Sequence, residues 1–258
     1  MALPVPAIQP GVAVFTPAAS PTPWRPACED PGCRTHLVIR PGLENTAGHE
    51  VGPRSLQPPT GGVDKSGRKH SATGLIGSPL PQQSQSETDT RGALWCVLPN
   101  GKCILGDVGF AVSNGPAFSL DGKIMYFNDS VGKKTFAYDI SPDDPMPRNR
   151  RVLISYTHEE GMPDGLTVDA EGNIWVAHWG GARITQFTNA GFRLRHVQVP
   201  APHVTTVGFG GENLATLYVT TARDGMSPDA LQLWPQSGDL FALKPGVHGV
   251  PEPLFPLK

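Results

Sequence analysis

The chain has 258 residues, 30 of them glycine and 28 proline, and 38% of its residues are hydrophobic. Its formal net charge of −2 gives no electrostatic attraction to nucleic acid or to an anionic membrane surface, so we expect neither as a partner. No apolar run approaches the length of a membrane span. The length suits one all-β domain of the barrel or propeller kind, and a second domain is not required.

Residues 1–58 are predicted to be an irregular, disordered segment. Proline recurs from Pro4 to Pro41, with neither strand alternation nor helical periodicity between the prolines. Because proline lacks a backbone N–H, it cannot take part in a central strand. Residues 59–258 are assigned to the folded domain, which becomes clearly recognisable from Gly92.

The four cysteines favour a reducing compartment. Neither close pair, Cys28 with Cys33 or Cys96 with Cys103, has the spacing of a zinc site. The N-terminus has no basic start and is interrupted by prolines, so it is a poor signal peptide. We therefore expect reduced thiols and a cytoplasmic protein.

From Gly92 onward, short apolar runs alternate with turn signals that contain Gly or Asn, which is typical of antiparallel strands. The segment that begins at Ser141 (SPDDPMPRNRR) is predicted to be an exposed excursion between two sheets. The other predicted strands lie at 124–127, 135–140, 152–156, 183–187, 193–199 and 217–221, with further strands around the Asn100-Gly101 turn, in the hairpin of 163–181 and in the tail.

Three stretches repeat one pattern: a polar residue, a small residue, a short apolar strand, a turn and a second apolar strand. They are NGPAFSLDGKIMYFNDS from Asn114, DGLTVDAEGNIWVAHWG from Asp164 and TTVGFGGENLATLYVTTA from Thr205. Their openings are roughly 40–50 residues apart, which is the period of propeller blades. In a propeller the innermost strands line a central channel.

The opening residues Asn114 and Asp164 are candidate metal ligands. If they lie at the same end of the innermost strands, two oxygen-bearing side chains converge in the channel, and such ligands suit a hard cation such as Ca²⁺. An Asn or Asp before Gly also shapes ordinary turns, and this alternative stays open at the level of spacing.

At these motifs the sequence resembles the family of senescence marker protein (regucalcin), gluconolactonase and luciferin-regenerating enzyme. The resemblance is carried by SNGPAFSLDGKIMYFNDS, PDGLTVDAEGNIWVAHWGG, the FGG…LYVTTAR stretch near Phe209 and the LFAL…GVHGVPEPLF close, over about residues 92–258. It implies a six-bladed β-propeller with one divalent metal in the channel and lactonase activity. The N-terminal third would then be an incomplete or irregular part of the propeller.

The resemblance also implies residue roles. Asn114 matches a metal-ligand asparagine, and Asp164 matches a metal-ligand aspartate that is also the catalytic general base. The metal would be Ca²⁺, with Zn²⁺ or Mn²⁺ as alternatives. The family's third ligand is a glutamate in a GEGP-like motif that this chain lacks, and Glu29, Glu44 and Glu50 have the wrong neighbours. The first ninety residues therefore look like a divergent start or a shifted reading frame.

His178, Trp179 and Thr205 are candidates for the channel rim and for substrate contacts. For His178 and Trp179, packing between blades is the favoured interpretation, and Thr205 is equally well an ordinary strand residue. The acidic residues Asp143, Asp144, Glu159 and Glu160 are interpreted as solvated loop residues and not as a second metal site.

The sequence thus predicts a metal-dependent hydrolase that opens a small sugar lactone to the aldonic acid. The alternative is a non-catalytic or degenerate propeller that binds a metal or a ligand, and a propeller used only as an interaction scaffold has less support. The sequence does not indicate an oligomeric state, although an incomplete propeller would expose strand edges that invite association.

Overall fold

The computed structural model describes residues 12–15, 74–78, 90, 92–98, 103–141 and 144–251. Within these residues the strands are β1 (Val12–Phe15), β2 (Gly74–Ser78), β3 (Gly92–Val97), β4 (Cys103–Phe110), β5 (Ser113–Phe118), β6 (Ile124–Asp129), β7 (Lys134–Ser141), β8 (Asp144–Ser155), β9 (Met162–Val168), β10 (Ile174–Trp179), β11 (Arg183–Phe187), β12 (Arg193–Gln198), β13 (Val204–Gly210), β14 (Thr216–Thr221) and β15 (Leu240–Leu243). One short helix, α1 (Pro228–Leu233), accompanies them. No described helix is long and apolar enough to cross a membrane.

The strands form four sheets with the orders β2-β3-β4, β5-β6-β7-β8, β9-β10-β11-β12 and β13-β14-β15-β1. Every paired strand is antiparallel to its neighbour. The first strands of successive sheets also contact one another, β2 with β5, β5 with β9 and β9 with β13. The sheets therefore stand side by side around their first strands, which confirms the predicted all-β, propeller-type fold. The number of blades stays a prediction.

Apolar side chains fill the space between neighbouring sheets. The cluster of Leu94, Phe110, Met125, Phe127 and Tyr138 joins the sheets of β3–β4 and β5–β8. A second cluster, which includes Tyr126, Tyr156, Leu166, Ile174 and Val176, joins the sheets of β5–β8 and β9–β12. A third, which includes Trp175, Ile184, Val207, Leu217 and Phe241, joins the last two sheets. Each sheet thus buries a face against the next, as the repeat pattern predicts.

The hairpin predicted around Asp164 is confirmed as β9, a tight turn and β10, with Val168 opposite Ile174. The turn is held by the buried carboxylate of Asp169, which accepts hydrogen bonds from the backbone N–H groups of Glu171 (3.0 Å) and Asn173 (2.9 Å). The same carboxylate accepts from Trp175 Nε1 at 2.8 Å. These hydrogen bonds compensate the Asp169 carboxylate for the loss of water around it.

The segment that begins at Ser141 differs from the expectation. It is not an excursion between sheets, because β8 starts at Asp144 and pairs with β7 through Asp139 opposite Arg148 and Ala137 opposite Arg151. Strand β8 is the last strand of its sheet. Proline is tolerated on such an edge strand, since one side of the strand makes no ladder hydrogen bonds.

Two strands lie where the sequence suggests none. Strand β1 falls within residues 1–58 and pairs with β15, and β2 precedes Gly92, the point from which order is expected. The other residues of the irregular segment, including Cys28 and Cys33, lie outside the described residues. The boundary at residue 58 stays a prediction. Of the remaining cysteines, Cys96 is buried, which raises the pKa of its thiol to about 11, and Cys103 is exposed.

Candidate functional site

Asn114 is the second residue of β5 and Asp164 is the third residue of β9, and both side chains are half-buried. The two strands lie side by side. A Cβ placed on Gly115 would meet Leu166 Cδ2 at 2.7 Å, so β5 and β9 pack closely just beyond the two candidate ligands. The structure therefore brings Asn114 and Asp164 to the same end of two neighbouring first strands.

The side-chain amide of Asn114 is oriented by a neighbour. Its Nδ2 donates a hydrogen bond of 2.7 Å to Oγ of Ser130, which is buried directly after β6. Because the nitrogen is engaged in this way, the amide oxygen is the atom that Asn114 can offer to a cation.

The chain leading into Asn114 is fixed by Asp129. Its buried carboxylate accepts hydrogen bonds from the backbone N–H groups of Ala111 (3.1 Å), Val112 (2.9 Å) and Gly132 (3.2 Å). These bonds tie the β4–β5 connection to the turn after β6. Asp129 and Ser130 together set the position and the orientation of Asn114.

The backbone of Asp164 is held by Asn128, a residue that the sequence analysis does not single out. Asn128 lies opposite Asn114 in the β5–β6 ladder, and its Nδ2 donates a hydrogen bond of 2.6 Å to the carbonyl oxygen of Asp164. Asn128 is fully buried. Its single sequence signal is a polar residue directly after the apolar run of β6.

Asn128 is itself held by a chain of buried hydroxyl groups. Thr135 Oγ1 donates to Asn128 Oδ1 at 2.6 Å and lies 2.7 Å from the hydroxyl oxygen of Tyr156. Since the threonine proton is directed at Asn128, the Tyr156 hydroxyl donates to Thr135. Burial raises the pKa of Tyr156 far above its ordinary value, so the tyrosine keeps this proton.

Glu160 fastens the segment before Asp164. Its buried carboxylate accepts hydrogen bonds from the backbone N–H of Thr157 (2.8 Å) and forms an ion pair with Arg193. This corrects the interpretation of Glu160 as a solvated loop residue. Glu159 is exposed, Asp144 pairs with Arg148, and Asp143 lies outside the described residues. The described residues contain no group of three or more His, Cys, Asp or Glu side chains that could hold a metal.

His178 is not a rim residue, which corrects that candidate role. It is fully buried, its Nδ1 donates to the carbonyl oxygen of Glu160 at 2.9 Å, and its ring packs edge-on against Tyr156. Burial, assisted by the charges of Arg183 and His196, lowers the pKa of His178 to about 3. The ring is therefore neutral, and the packing interpretation applies.

Trp179 lies at the same end of the sheet as Asp164, since it pairs with Met162 at the start of β9. Its half-buried indole stacks on His203, with 4.1 Å between the ring centroids and 9° between the planes. Burial lowers the pKa of His203, which favours the neutral form of the ring in this stack. His203 was not predicted as a site residue. The one hint of it in the sequence is its position two residues before Thr205.

Thr205 directs its hydroxyl to the neighbouring strand, where its Oγ1 lies 2.6 Å from Oγ1 of Thr220. Thr206 is closer to the candidate site, because its side chain lies directly against Gly165, the residue after Asp164. Of the two threonines that open this repeat, Thr206 is thus the neighbour of the Asp164 backbone.

The donor set at this end of the sheets is an amide oxygen from Asn114 and a carboxylate from Asp164. Oxygen ligands of this kind fit Ca²⁺, which takes carboxylates, amide or backbone carbonyls and water. The two residues therefore fit part of a divalent-metal site. The carboxylate that the family resemblance requires as a third ligand stays unassigned.

Comparison with known proteins gives a consistent result. Residues 43–223 match the family model described as the SMP-30/Gluconolactonase/LRE-like region, so the match includes residues that the sequence analysis places in the divergent part. Regucalcin of Oryctolagus cuniculus is 36% identical over 163 residues, covering 62% of this chain and 54% of the relative. The chain spans about half the length of the curated relatives it matches.

Solved structures of other proteins share the fold, and two of them serve as examples. A calcium-binding protein, regucalcin, from Agrobacterium tumefaciens superimposes with a TM-score of 0.66 at 29% identity, covering 71% of this chain and 61% of that protein. A luciferin-regenerating enzyme superimposes with a TM-score of 0.62 at 30% identity, with the same coverage of 71% and 61%.

Proposed function

Because the chain belongs to the SMP-30/gluconolactonase/LRE-like family, we propose that it hydrolyses a small sugar lactone with the help of one divalent metal ion. The observation that supports the proposal is that Asn114 and Asp164 lie at the same end of the neighbouring strands β5 and β9, with the Asn114 side chain and the Asp164 backbone each held by a buried partner. Family membership supports a lactonase-type activity, while the sugar substrate and the metal requirement are part of the proposal.

In this mechanism Asn114 and Asp164 would hold the ion. When bound, the metal would supply Lewis-acid polarisation of the lactone carbonyl and stabilisation of the charge that develops on its oxygen. The Asp164 carboxylate also orients a water molecule and accepts its proton as the water oxygen attacks the carbonyl carbon. The ring C–O bond then breaks, the proton passes to the ring oxygen, and the open aldonic acid leaves.

We propose Ca²⁺ as the resident ion, with Mn²⁺ and Zn²⁺ as alternatives. An amide oxygen and a carboxylate are hard ligands, whereas zinc sites usually contain His or Cys nitrogen or sulfur. The calcium-binding description of the Agrobacterium relative agrees with this choice. A cytoplasmic location stays a prediction from the cysteine pattern, and cell fractionation would test it.

The first test is a thermal melt of the purified chain in EDTA, followed by addition of Ca²⁺, Mn²⁺ or Zn²⁺. An ion that binds only the folded state raises the melting temperature, and at a hundred times its Kd it adds about 2.7 kcal/mol of stability. We expect the shift to disappear in Asp164→Ala. The matched control is Glu171→Gln, which alters an exposed acid at the opposite end of the same hairpin.

Hydrolysis separates the proposal from its alternative. With a panel of 1,4- and 1,5-sugar lactones, acid release that requires the metal and is lost in Asp164→Ala supports the lactonase. A metal-dependent melting shift without acid release from any lactone would favour a non-catalytic metal-binding propeller. A cooperative melt whose midpoint no metal changes would contradict both the metal-dependent lactonase and the metal-binding propeller.

A further inference from the structure

One hairpin, β5–β6 with the turn that follows it, holds both candidate ligands. Ser130 engages the side chain of Asn114, and Asn128 engages the backbone of Asp164, although Asp164 belongs to the next sheet. The Asn128 bond therefore crosses from one sheet to the next at the point where the two ligands must keep a fixed separation.

The hydrogen bonds from Tyr156 through Thr135 to Asn128 all run in one direction, because each group has a defined proton donor. Tyr156 donates to Thr135, Thr135 donates to the Asn128 oxygen, and the Asn128 nitrogen donates to the Asp164 carbonyl. Tyr156, Thr135 and Asn128 are all buried, the last two completely. Because each group has one defined direction of donation, the Asn128 amide cannot turn over without leaving buried polar atoms unsatisfied.

The hydrophobic packing between the two sheets does not require this row of hydrogen bonds. Tyr156 lies in the apolar cluster between the two sheets, where a phenylalanine would fill the same space without burying a hydroxyl. A buried polar chain contributes little net stability compared with an apolar core of the same shape. Its distinctive property is that it fixes orientation.

We infer that Asn128 is a positioning residue for the metal site, which sets the place of Asp164 relative to Asn114 and is itself oriented by Thr135 and Tyr156. The inference rests on the proposed function. Replacing a residue that orients a metal ligand by a hydrogen bond usually lowers metal affinity by about 10–100-fold. We therefore expect an effect on ion affinity that is separate from any loss of stability.

The experiment is a calorimetric titration of the full chain with Ca²⁺, and with Mn²⁺ and Zn²⁺ in parallel. The variants are Asn128→Leu, Thr135→Val and Thr135→Ser, with Asp164→Ala as the reference for a lost ligand. Thr185→Val is the matched control, because Thr185 is a buried strand threonine like Thr135 but lies on β11, outside the chain of hydrogen bonds.

We expect Asn128→Leu and Thr135→Val to weaken Ca²⁺ binding by about tenfold or more. Thr135→Ser keeps the hydroxyl and should restore affinity, and Thr185→Val should bind like the wild type even if it melts earlier. If Asn128→Leu does not fold, the Thr135 pair still decides the question.

Wild-type affinity in Asn128→Leu or in Thr135→Val, combined with lost binding in Asp164→Ala, would overturn the positioning role and leave the proposed function intact. A wild-type chain that binds none of Ca²⁺, Mn²⁺ and Zn²⁺ would overturn the proposed function and this inference together.

Discussion

At the scale of single residues, His178 couples the stability of the fold to pH. Burial lowers its pKa from 6.5 to about 3, so the folded protein keeps the ring neutral at a pH where the unfolded chain binds a proton. Between these two values the unfolded state holds more protons than the folded state. Stability is therefore undiminished above pH 6.5 and falls as the pH decreases toward 3.

We expect this one histidine to remove about 1.4 kcal/mol of stability for each pH unit below its ordinary pKa, or about 2 kcal/mol at pH 5. In His178→Asn, whose amide nitrogen can still donate to the Glu160 carbonyl, that part of the pH dependence should vanish. The measurement is the free energy of urea unfolding at pH 7 and pH 5. His248→Asn, at an exposed position, should keep the wild-type slope.

A slope that is equal in His178→Asn and in the wild type would mean that His178 is charged in the folded state or reaches solvent. The comparison uses differences between two pH values, so the cavity left by the smaller side chain cancels to first order. Carboxylates that titrate in the same range contribute equally to the wild type and to both variants.

Also at this scale, the sequence predicts the candidate ligands but not the residues that hold them. Asn114 and Asp164 are recognisable because each opens a repeat with a small residue behind it. Asn128 is not, since its partner Asp164 is 36 residues away in another sheet. Tyr156 is likewise 21 residues from Thr135. Side-chain contacts between residues so far apart in the sequence leave no local periodicity from which they could be inferred.

At the scale of elements, Gly165 allows β9 and β13 to approach each other beside Asp164. A Cβ at this position would lie 2.5 Å from Thr206 Cβ and 2.9 Å from the Thr205 carbonyl oxygen. Neither neighbour is a flexible side-chain end, so one of the two strands must move. The close approach therefore requires glycine for its lack of a side chain.

We expect Gly165→Ala to destabilise the fold by about 1–3 kcal/mol, as overpacked sites do. Because Asp164 directly precedes Gly165 on β9, a displacement of β9 should also reduce the melting shift produced by Ca²⁺. Gly208→Ala is the control, since a Cβ at this position of β13 meets nothing within 4 Å. Chemical unfolding with and without Ca²⁺ measures both effects, and equal stability of the two variants would refute the argument.

The strands also illustrate which elements a sequence predicts. Hairpins such as β9–β10 and β11–β12 were predictable because a Gly or Asn turn separates two apolar runs. The first half of β8 was not, because its prolines indicate a loop unless one knows that the strand lies at the edge of a sheet. Helix α1 has Ser227 as its N-cap, whose Oγ accepts from Ala230 N–H, and Pro228 follows it, a local signal that the strand repeats obscured.

At the scale of the whole molecule, the last sheet is assembled from the two ends of the chain. Strand β15 pairs with β14 on one side and with β1 on the other, with Val12 opposite Leu243. The repeats and the family resemblance predicted sheets of this kind, and the pairing of residues more than two hundred positions apart was beyond any local pattern. Closing a loop over such a distance carries a larger entropic cost than closing a hairpin.

If β1 contributes to stability, removal of residues 2–15 should lower the free energy of unfolding by a few kcal/mol, at about 1 kcal/mol for each backbone hydrogen bond lost. It should also make β15 an exposed edge strand, which promotes association between molecules. Removal of residues 2–11 leaves β1 in place and serves as the control. Melting temperature by circular dichroism and mass by light scattering measure the two effects. The two deletions differ only by strand β1. Equal melting temperatures and equal masses would show that β15 does not depend on β1. A lower melting temperature and a higher mass in the longer deletion alone would establish that β1 completes the last sheet.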